Sequence, residues 1–395
     1  MCTRETFPSS PRTLSHSFAH PHADVRAAHE HCRLAERHIL DRLPGADPRA
    51  ESELDASLVC TRVLGHLLEE ENERMGVAQV NIAGDVLCAV MTVGDDERVE
   101  KVVELGRVIR DYFIRPFRHI DVDDSPSLSH PSPPPFDLTP DETLDFLLQP
   151  STSPDGTRKQ ALVRDGFRDV LNRTMDRKYF LGKWERDHPG EKTVLEGVAA
   201  LEGCYIFKAP LRAKGSRALK SAGDDAASTS GLLERFGYGH LVDELAGGGI
   251  HRLSNVLTLT HENRLSFDEM SLWLEETDVR HRYRIVTPDL TTAIRAQQRL
   301  PSTVDFTSHT TSTSASTSSN TPQEHTLPSP DALRLHALAC RLSRLSGASA
   351  YFDRIQDFFD AYGCRSTFDV YGCRLTGAGT GTGTGVDERD VFVDA

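Results

Sequence analysis

The sequence predicts an α+β protein. It has a helical N-terminal region, a central core built on a strand, a loop, a strand and a helix with additional strands, a C-terminal helix, and disordered linkers and tail. Three observations lead to this reading. Residues 54–71 and 99–117 carry apolar side chains at spacings of three and four with charges on the opposite face, the pattern of amphipathic helices. Asn255-Val256-Leu257-Thr258-Leu259 alternates as a half-buried strand does and leads into Arg264-Leu265-Ser266-Phe267-Asp268, which reads as the first turns of a short helix. Low-complexity tracts of Ser/Pro, Ser/Thr and Gly/Thr separate the structured parts.

In chain order, residues 1–25 read as disordered and residues 26–118 as helical. Residues 119–155 form a linker around Ser129-His130-Pro131-Ser132-Pro133-Pro134-Pro135. Residues 156–290 hold the core, in which Gly203-Cys204-Tyr205-Ile206-Phe207 is the first short strand and Tyr283-Arg284-Ile285-Val286 a later one. Between the first strand and the Asn255 strand, residues 213–230 are small and polar, as expected of a surface loop. Residues 303–326 are Ser/Thr-rich and read as disordered. Residues 328–362 are helical, with Leu335, Leu338, Leu342 and Leu345 at helical spacing and a stop near Ser346-Gly347-Ala348. The tail at 363–395 holds a Gly/Thr repeat that cannot build a core.

Composition bounds the function. The chain has 395 residues, a net charge of -14 and a pI near 5.6. That balance argues against broad, non-specific nucleic-acid binding, which needs a basic face to neutralise phosphates. A local patch remains: Lys208, Arg212, Lys214, Arg217 and Lys220 cluster after the first strand, with Arg252 and Arg264 nearby. The alternative is a solvated loop. Eight cysteines are scattered without a C-x-x-C pair, so neither a zinc site nor a disulfide framework is visible. There is no signal-like N-terminus and no apolar run of membrane-spanning length, which points to an intracellular protein of the nucleus or cytoplasm with no membrane partner.

The order of motifs resembles the fungal, basidiomycete-type HNH endonuclease family, whose site is a ββα-metal fold. Ala161-Leu162-Val163-Arg164-Asp165-Gly166-Phe167-Arg168 is similar to the family's A-L-x-R-D-G-Y-R segment. Asn255 sits in the family's N-x-L-x-L pattern, Phe267-Asp268 close its H-x-x-F-D motif, and Trp273-Leu274-Glu275 continue as its W-F-E-like strand does. Leu327-Pro328-Ser329-Pro330-Asp331 opens a segment similar to its C-terminal helix. The resemblance spans roughly residues 50–360. It implies a metal-dependent phosphodiester hydrolase with one divalent ion, Mg²⁺ or Mn²⁺, and DNA as partner.

Both signature histidines are substituted. Tyr205 stands where the family's general base is expected, and Arg264 where its metal-ligating His is expected. The family's C-x-x-T-G is replaced by Asp169-Val170-Leu171-Asn172-Arg173. Tyrosine ionises near pH 10 and is a poor base unaided. Arginine has no lone pair for a metal and would repel one. The candidate catalytic residues are therefore Asn255 for orientation and Tyr205 or His251 near the water, with His261 or Asp268 as metal ligands. The basic patch offers Lys208, Arg212, Lys214, Arg252 and Arg264 as the candidates for meeting nucleic acid. Each has a plainer alternative: Asn255 a turn former, Tyr205 a buried strand residue, His261 a cap. Cys204 adjoins the site but is a soft donor for Mg²⁺. Three functions follow: a degenerate HNH-like domain without catalysis, an active endonuclease with rearranged ligands, and a protein-interaction scaffold.

Overall fold

The computed structural model describes residues 11–118, 135–189, 197–208, 211, 228–288, 292–306 and 327–362. Four helices open the chain: α1 Ala23–Arg42, α2 Pro48–Leu68, α3 Gly76–Met91 and α4 Asp95–Ile109. Local chemistry sets their ends. Asp47 caps α2 by accepting from the Ala50 amide at 2.9 Å, with Pro48 in the first turn where its missing N–H costs nothing. The α2–α4 crossing is close because Gly106 has no side chain: a Cβ there would lie 2.0 Å from the Cys60 carbonyl oxygen. Beyond α4 the chain passes through a π turn, Arg110–Ile114, that buries Arg110 on Asp111 and Phe113 in the core.

The middle of the chain starts with α5 Pro140–Leu148 and α6 Pro154–Arg164. The helix α5 lies inside the stretch read as a linker, and the reason is local: Thr139 and Glu142 form a capping box ahead of Pro140. Next come β1 Met175–Asp176, α7 Arg177–Tyr179, α8 Glu185–Asp187, β2 Val198–Ala199 and β3 Leu201–Tyr205. Two short helices follow, α9 Thr229–Arg235 and α10 Gly239–Glu244, then β4 Val256–Thr260 and, without a break, α11 His261–Asp268. Strands β3 and β4 are antiparallel, with Gly203 opposite Thr258 and Tyr205 opposite Val256. A second sheet is formed by β5 Trp273–Glu276, β6 Arg282–Val286 and β7 Thr303–Asp305 in that order, with α12 Thr292–Gln297 between β6 and β7. Strand β7 corrects the reading of 303–326 as wholly disordered: Arg282 and Asp305 pair across it and Val304 is buried. Residues 307–326 and the tail from 363 lie outside the described residues.

The C-terminal segment is two helices, α13 Pro330–Ser346 and α14 Ala348–Tyr362, broken at Gly347 in the left-handed conformation at φ +89°. Helix α13 is a central element: Leu333, Leu335, Leu338 and Leu342 are all fully buried, against α2 on one side and β5 on the other. One hydrophobic core joins the N-terminal helices, the β3–β4–α11 unit and α13, and a smaller cluster lies between α6 and β3–β4. The architecture is mixed helix and sheet, as the sequence predicts.

Residues 11–22 depart from the disordered reading of 1–25. They form an arm docked on the bundle, with Leu14 1% exposed and lodged where Gly65 leaves a notch in α2. Among the described residues no helix is long and apolar enough to cross a membrane.

Candidate functional site

The Arg164-Asp165-Gly166 segment builds the frame of the site. Arg164, fully buried at the end of α6, is held flat by Asp165 and donates to the carbonyls of Leu253 at 2.8 Å and Val256 at 2.9 Å. It thus brackets Asn255 from both sides. Asn255 is itself 1% exposed: its side chain accepts from the Phe207 amide at 2.9 Å and donates to the carbonyls of Phe207 at 3.1 Å and Ile250 at 3.0 Å. Those bonds tie the end of β3, the Gly247–His251 turn and the start of β4 together. Both polar atoms of the amide are used on main chain, so Asn255 acts here as a fastener of these segments.

Asp169 stands where the resembled family carries Cys. Its carboxylate accepts from the amides of Thr260 at 2.6 Å, Leu171 at 2.7 Å and Asn172 at 3.1 Å, and from Asn263 at 2.9 Å. It pins the junction between β4 and α11, and burial raises its pKa against those hydrogen bonds.

Strand alternation then separates the candidates into two groups. On the α6 face, Tyr205 is half-buried and its hydroxyl lies 2.9 Å from Nδ1 of His251, while Thr157 of α6 donates to the His251 carbonyl at 3.0 Å. Burial raises the Tyr205 pKa, moving it further from the range of a neutral-pH base. On the α11 face, Glu202, Cys204 and the following Lys208 meet α11. The Lys208 ammonium sits on Oδ1 of Asp268 and also donates to the Tyr205 carbonyl at 2.6 Å. Arg264 reaches Oδ2 of Asp268 at 3.2 Å and Glu202 at 2.5 Å. Cys204 completes the group, its Sγ 3.4 Å from Oδ1 of Asp268. Its thiol is pushed up to about 12, mainly by burial, with Lys208 opposing and Asp268 adding to the rise.

Asp268 is 3% exposed and carries cationic donors on both oxygens. These residues do not fit a divalent ion: a hard cation needs free carboxylate oxygens, and here an ammonium and a guanidinium occupy them beside a protonated thiol. His261, the other metal candidate, has an exposed ring at the edge of the cluster, 3.2 Å from Glu202. Among the described residues no group of three or more His, Cys, Asp or Glu is arranged to hold a metal.

The candidates for nucleic acid divide as well. Lys208 and Arg264 belong to the half-buried ion-pair cluster on Asp268, Arg252 is exposed, and Arg212 and Lys214 lie outside the described residues. Sequence reasoning missed Glu202 and the structural part of Lys208. The signal for Glu202 was its place two residues from Cys204, on the same face of β3 as Arg264 of α11. With two anions and two cations, the cluster of Glu202, Asp268, Lys208 and Arg264 is formally neutral.

No protein-family model matches the chain, and neither the curated proteins nor the solved structures include a match to it.

Proposed function

We propose that this chain carries a catalytically silent ββα unit of the HNH type, in which an internal ion-pair cluster has taken the place of the divalent metal. The observation that carries the reading is Asp268, buried and held by Lys208 on one oxygen and Arg264 on the other. Lys208 and Arg264 supply at that carboxylate the positive charge that a metal would otherwise bring. The substitution exchanges a Lewis acid for two fixed cations, which neutralise the carboxylate but activate no water. Tyr205 and His251 form a pair on the other strand face, so no base is set beside a polarised phosphate. The unit then serves as a rigid frame that joins α6, the main core and α13, which supports a binding or assembly role over hydrolysis.

The test is cleavage of plasmid and single-stranded DNA by the full chain in Mg²⁺ or Mn²⁺, beside the same protein in EDTA. The expected outcome is no difference between metal and chelator, and no Mn²⁺ binding by electron paramagnetic resonance. EDTA-sensitive cleavage by the wild type that is lost in both Tyr205→Phe and His251→Ala would overturn the reading, because it would show the pair acting with a bound ion. Gel-shift measurements with the same DNA test the remaining patch around Arg252.

A further inference from the structure

Helix α3 is apolar on both of its faces. Ala78, Gln79, Ile82, Ala83, Val86 and Val90 are buried in the bundle. The opposite face meets solvent: Val77 is 57% exposed, Val80 38% and Met91 80%, with Cys88 exposed and Leu87 half-buried among them. Together with Gly84 these residues form one stripe, because steps of three and four return to the same side of a helix. The stripe runs about 21 Å from Val77 to Met91 at 1.5 Å per residue. A surface helix ordinarily turns polar side chains to water, and a continuous exposed apolar stripe marks a contact surface.

Gly84 lies at the middle of the stripe. It is not in the left-handed conformation, and among the described residues a Cβ there would meet nothing within 4 Å. Neither backbone conformation nor crowding inside the chain asks for glycine, which weakens a helix interior relative to alanine. What glycine provides is room for a second helix to come close from outside. Gly106 shows the same device within the chain, where α2 fills the space. The stripe is also symmetric about Gly84. Two antiparallel copies of α3 that cross there set Val77 against Met91, Val80 against Cys88 and Gly84 against Gly84, the self-complementary contact of a two-fold axis.

Charge selects the same occupant. The chain carries a net charge of -14, so two copies repel unless they meet where like charges are absent. Within Gly76–Met91 the only charged residue is Asp85, and Arg235 pairs with it. Exposed Arg74, just ahead of α3, would face the C-terminal end of the other copy's α3, where the last carbonyls carry partial negative charge. We propose that this chain forms a two-fold dimer through α3, with Gly84 at the crossing of two antiparallel copies. One helix pair of this length buries an area at the low end of specific interfaces, so the dimer is concentration-dependent, with a dissociation constant on the order of micromolar. No residue of the Asp268 cluster takes part, and the dimer and the silent site stand or fall separately.

Sedimentation equilibrium of the full chain between about 1 µM and about 100 µM brackets that constant. The mean mass should rise from that of one 43.7 kDa chain toward twice that value. Gly84→Ala should weaken the dimer about tenfold by holding the helices apart. The same variant should raise the melting temperature of the monomer, since alanine is the better helix former and meets nothing in its own chain. Val77→Lys should abolish association, and adding Met91→Glu should recover it, because the two positions face each other only in the antiparallel pairing. Alkylation of Cys88, followed by mass spectrometry, should slow as protein concentration rises. The mass of one chain at every concentration, a dimer indifferent to Gly84→Ala or Val77→Lys, a double variant that stays monomeric, or Cys88 alkylation independent of concentration would each overturn the proposal.

Discussion

Lys208 and Asp268, 60 residues apart in sequence, form a half-buried ion pair at the point where the end of β3 meets the end of α11, and Arg264 closes the other side of the same carboxylate. Removing the carboxylate leaves Lys208 without its anion, while Arg264 keeps Glu202. Asp268→Asn is therefore expected to destabilise the protein by about 2 kcal/mol, less than the full cost of breaking one side of a buried pair because both cations keep contact with water. Lys208→Met should cost less, because Arg264 still neutralises Asp268. Urea unfolding of the two variants checks the ranking; equal losses would place the energy elsewhere.

The same cluster predicts what is needed to recover a metal. Arg264→His restores a ligand in name, yet Lys208 remains on Oδ1 of Asp268 and excludes a second cation by charge. Arg264→His alone, or combined with Tyr205→His, should leave Mn²⁺ unbound. Adding Lys208→Ala frees the carboxylate oxygen and should produce measurable Mn²⁺ binding by electron paramagnetic resonance. Binding by Arg264→His with Lys208 intact would show that the ammonium does not guard the site.

Asn255 acts as a fastener. Its amide closes on Phe207 and Ile250 main chain in a position that excludes water. Asn255→Ala leaves the Phe207 N–H and two carbonyls unpaired, and should cost about 3 kcal/mol. The loss should be visible as faster amide exchange at Phe207 before any change in α1–α4. Unchanged stability would mean that the turn holds without the side chain.

Much of the fold was legible before the structure, and the limits have physical causes. The run at 255–259 located β4, but its reading as half-buried fails, since all five residues of Val256–Thr260 are buried between α6 and the main core; the Ser329-Pro330 start and Gly347 stop set the ends of α13. Helix α5 carried a readable signal in Thr139 and Glu142 that the surrounding Pro/Ser composition masked. Alternation on β3 also contained the separation of Cys204 from Tyr205, which places the two motif positions on opposite faces. The cations on Asp268 were not legible, because they depend on β3–β4 register and on the packing of α11. The arm was missed for the same reason: Leu14 and Phe18 are isolated apolar residues in a polar stretch, and the notch at Gly65 that receives Leu14 appears only in the fold.

That dependence on missing side chains recurs at the α2–α4 crossing. A Cβ on Gly106 would sit 2.0 Å from the Cys60 carbonyl oxygen and 2.5 Å from its carbon, both rigid main-chain atoms. The helices would have to separate, and Gly106→Ala should destabilise by about 3 kcal/mol despite the better helix propensity of alanine. Thermal unfolding measures this; a stabilised variant would show that the crossing yields easily.

His336 provides a pH dependence of known sign. It is fully buried on α13, its ring stacked on Phe267 at 3.8 Å between centroids, and its Nε2 lies 3.3 Å from the Phe267 carbonyl oxygen. Burial, aided by the nearby Lys208 charge and opposed by the Phe267 carbonyl and Asp268, lowers its pKa from 6.5 to about 3. The unfolded chain therefore takes up a proton that the folded protein refuses. The stability contributed by the neutral ring is whole above 6.5 and is lost as pH falls from 6.5 toward about 3. Within that range the slope from this one group is about 1.4 kcal/mol per pH unit. His336→Phe keeps a ring against Phe267 but cannot titrate, so its stability should change less between these limits than that of the wild type. The variant loses the hydrogen bond to Phe267, which lowers stability at neutral pH; the informative quantity is the slope. Urea midpoints at several pH values give it directly, and parallel curves for the two proteins would assign the acid sensitivity to other groups.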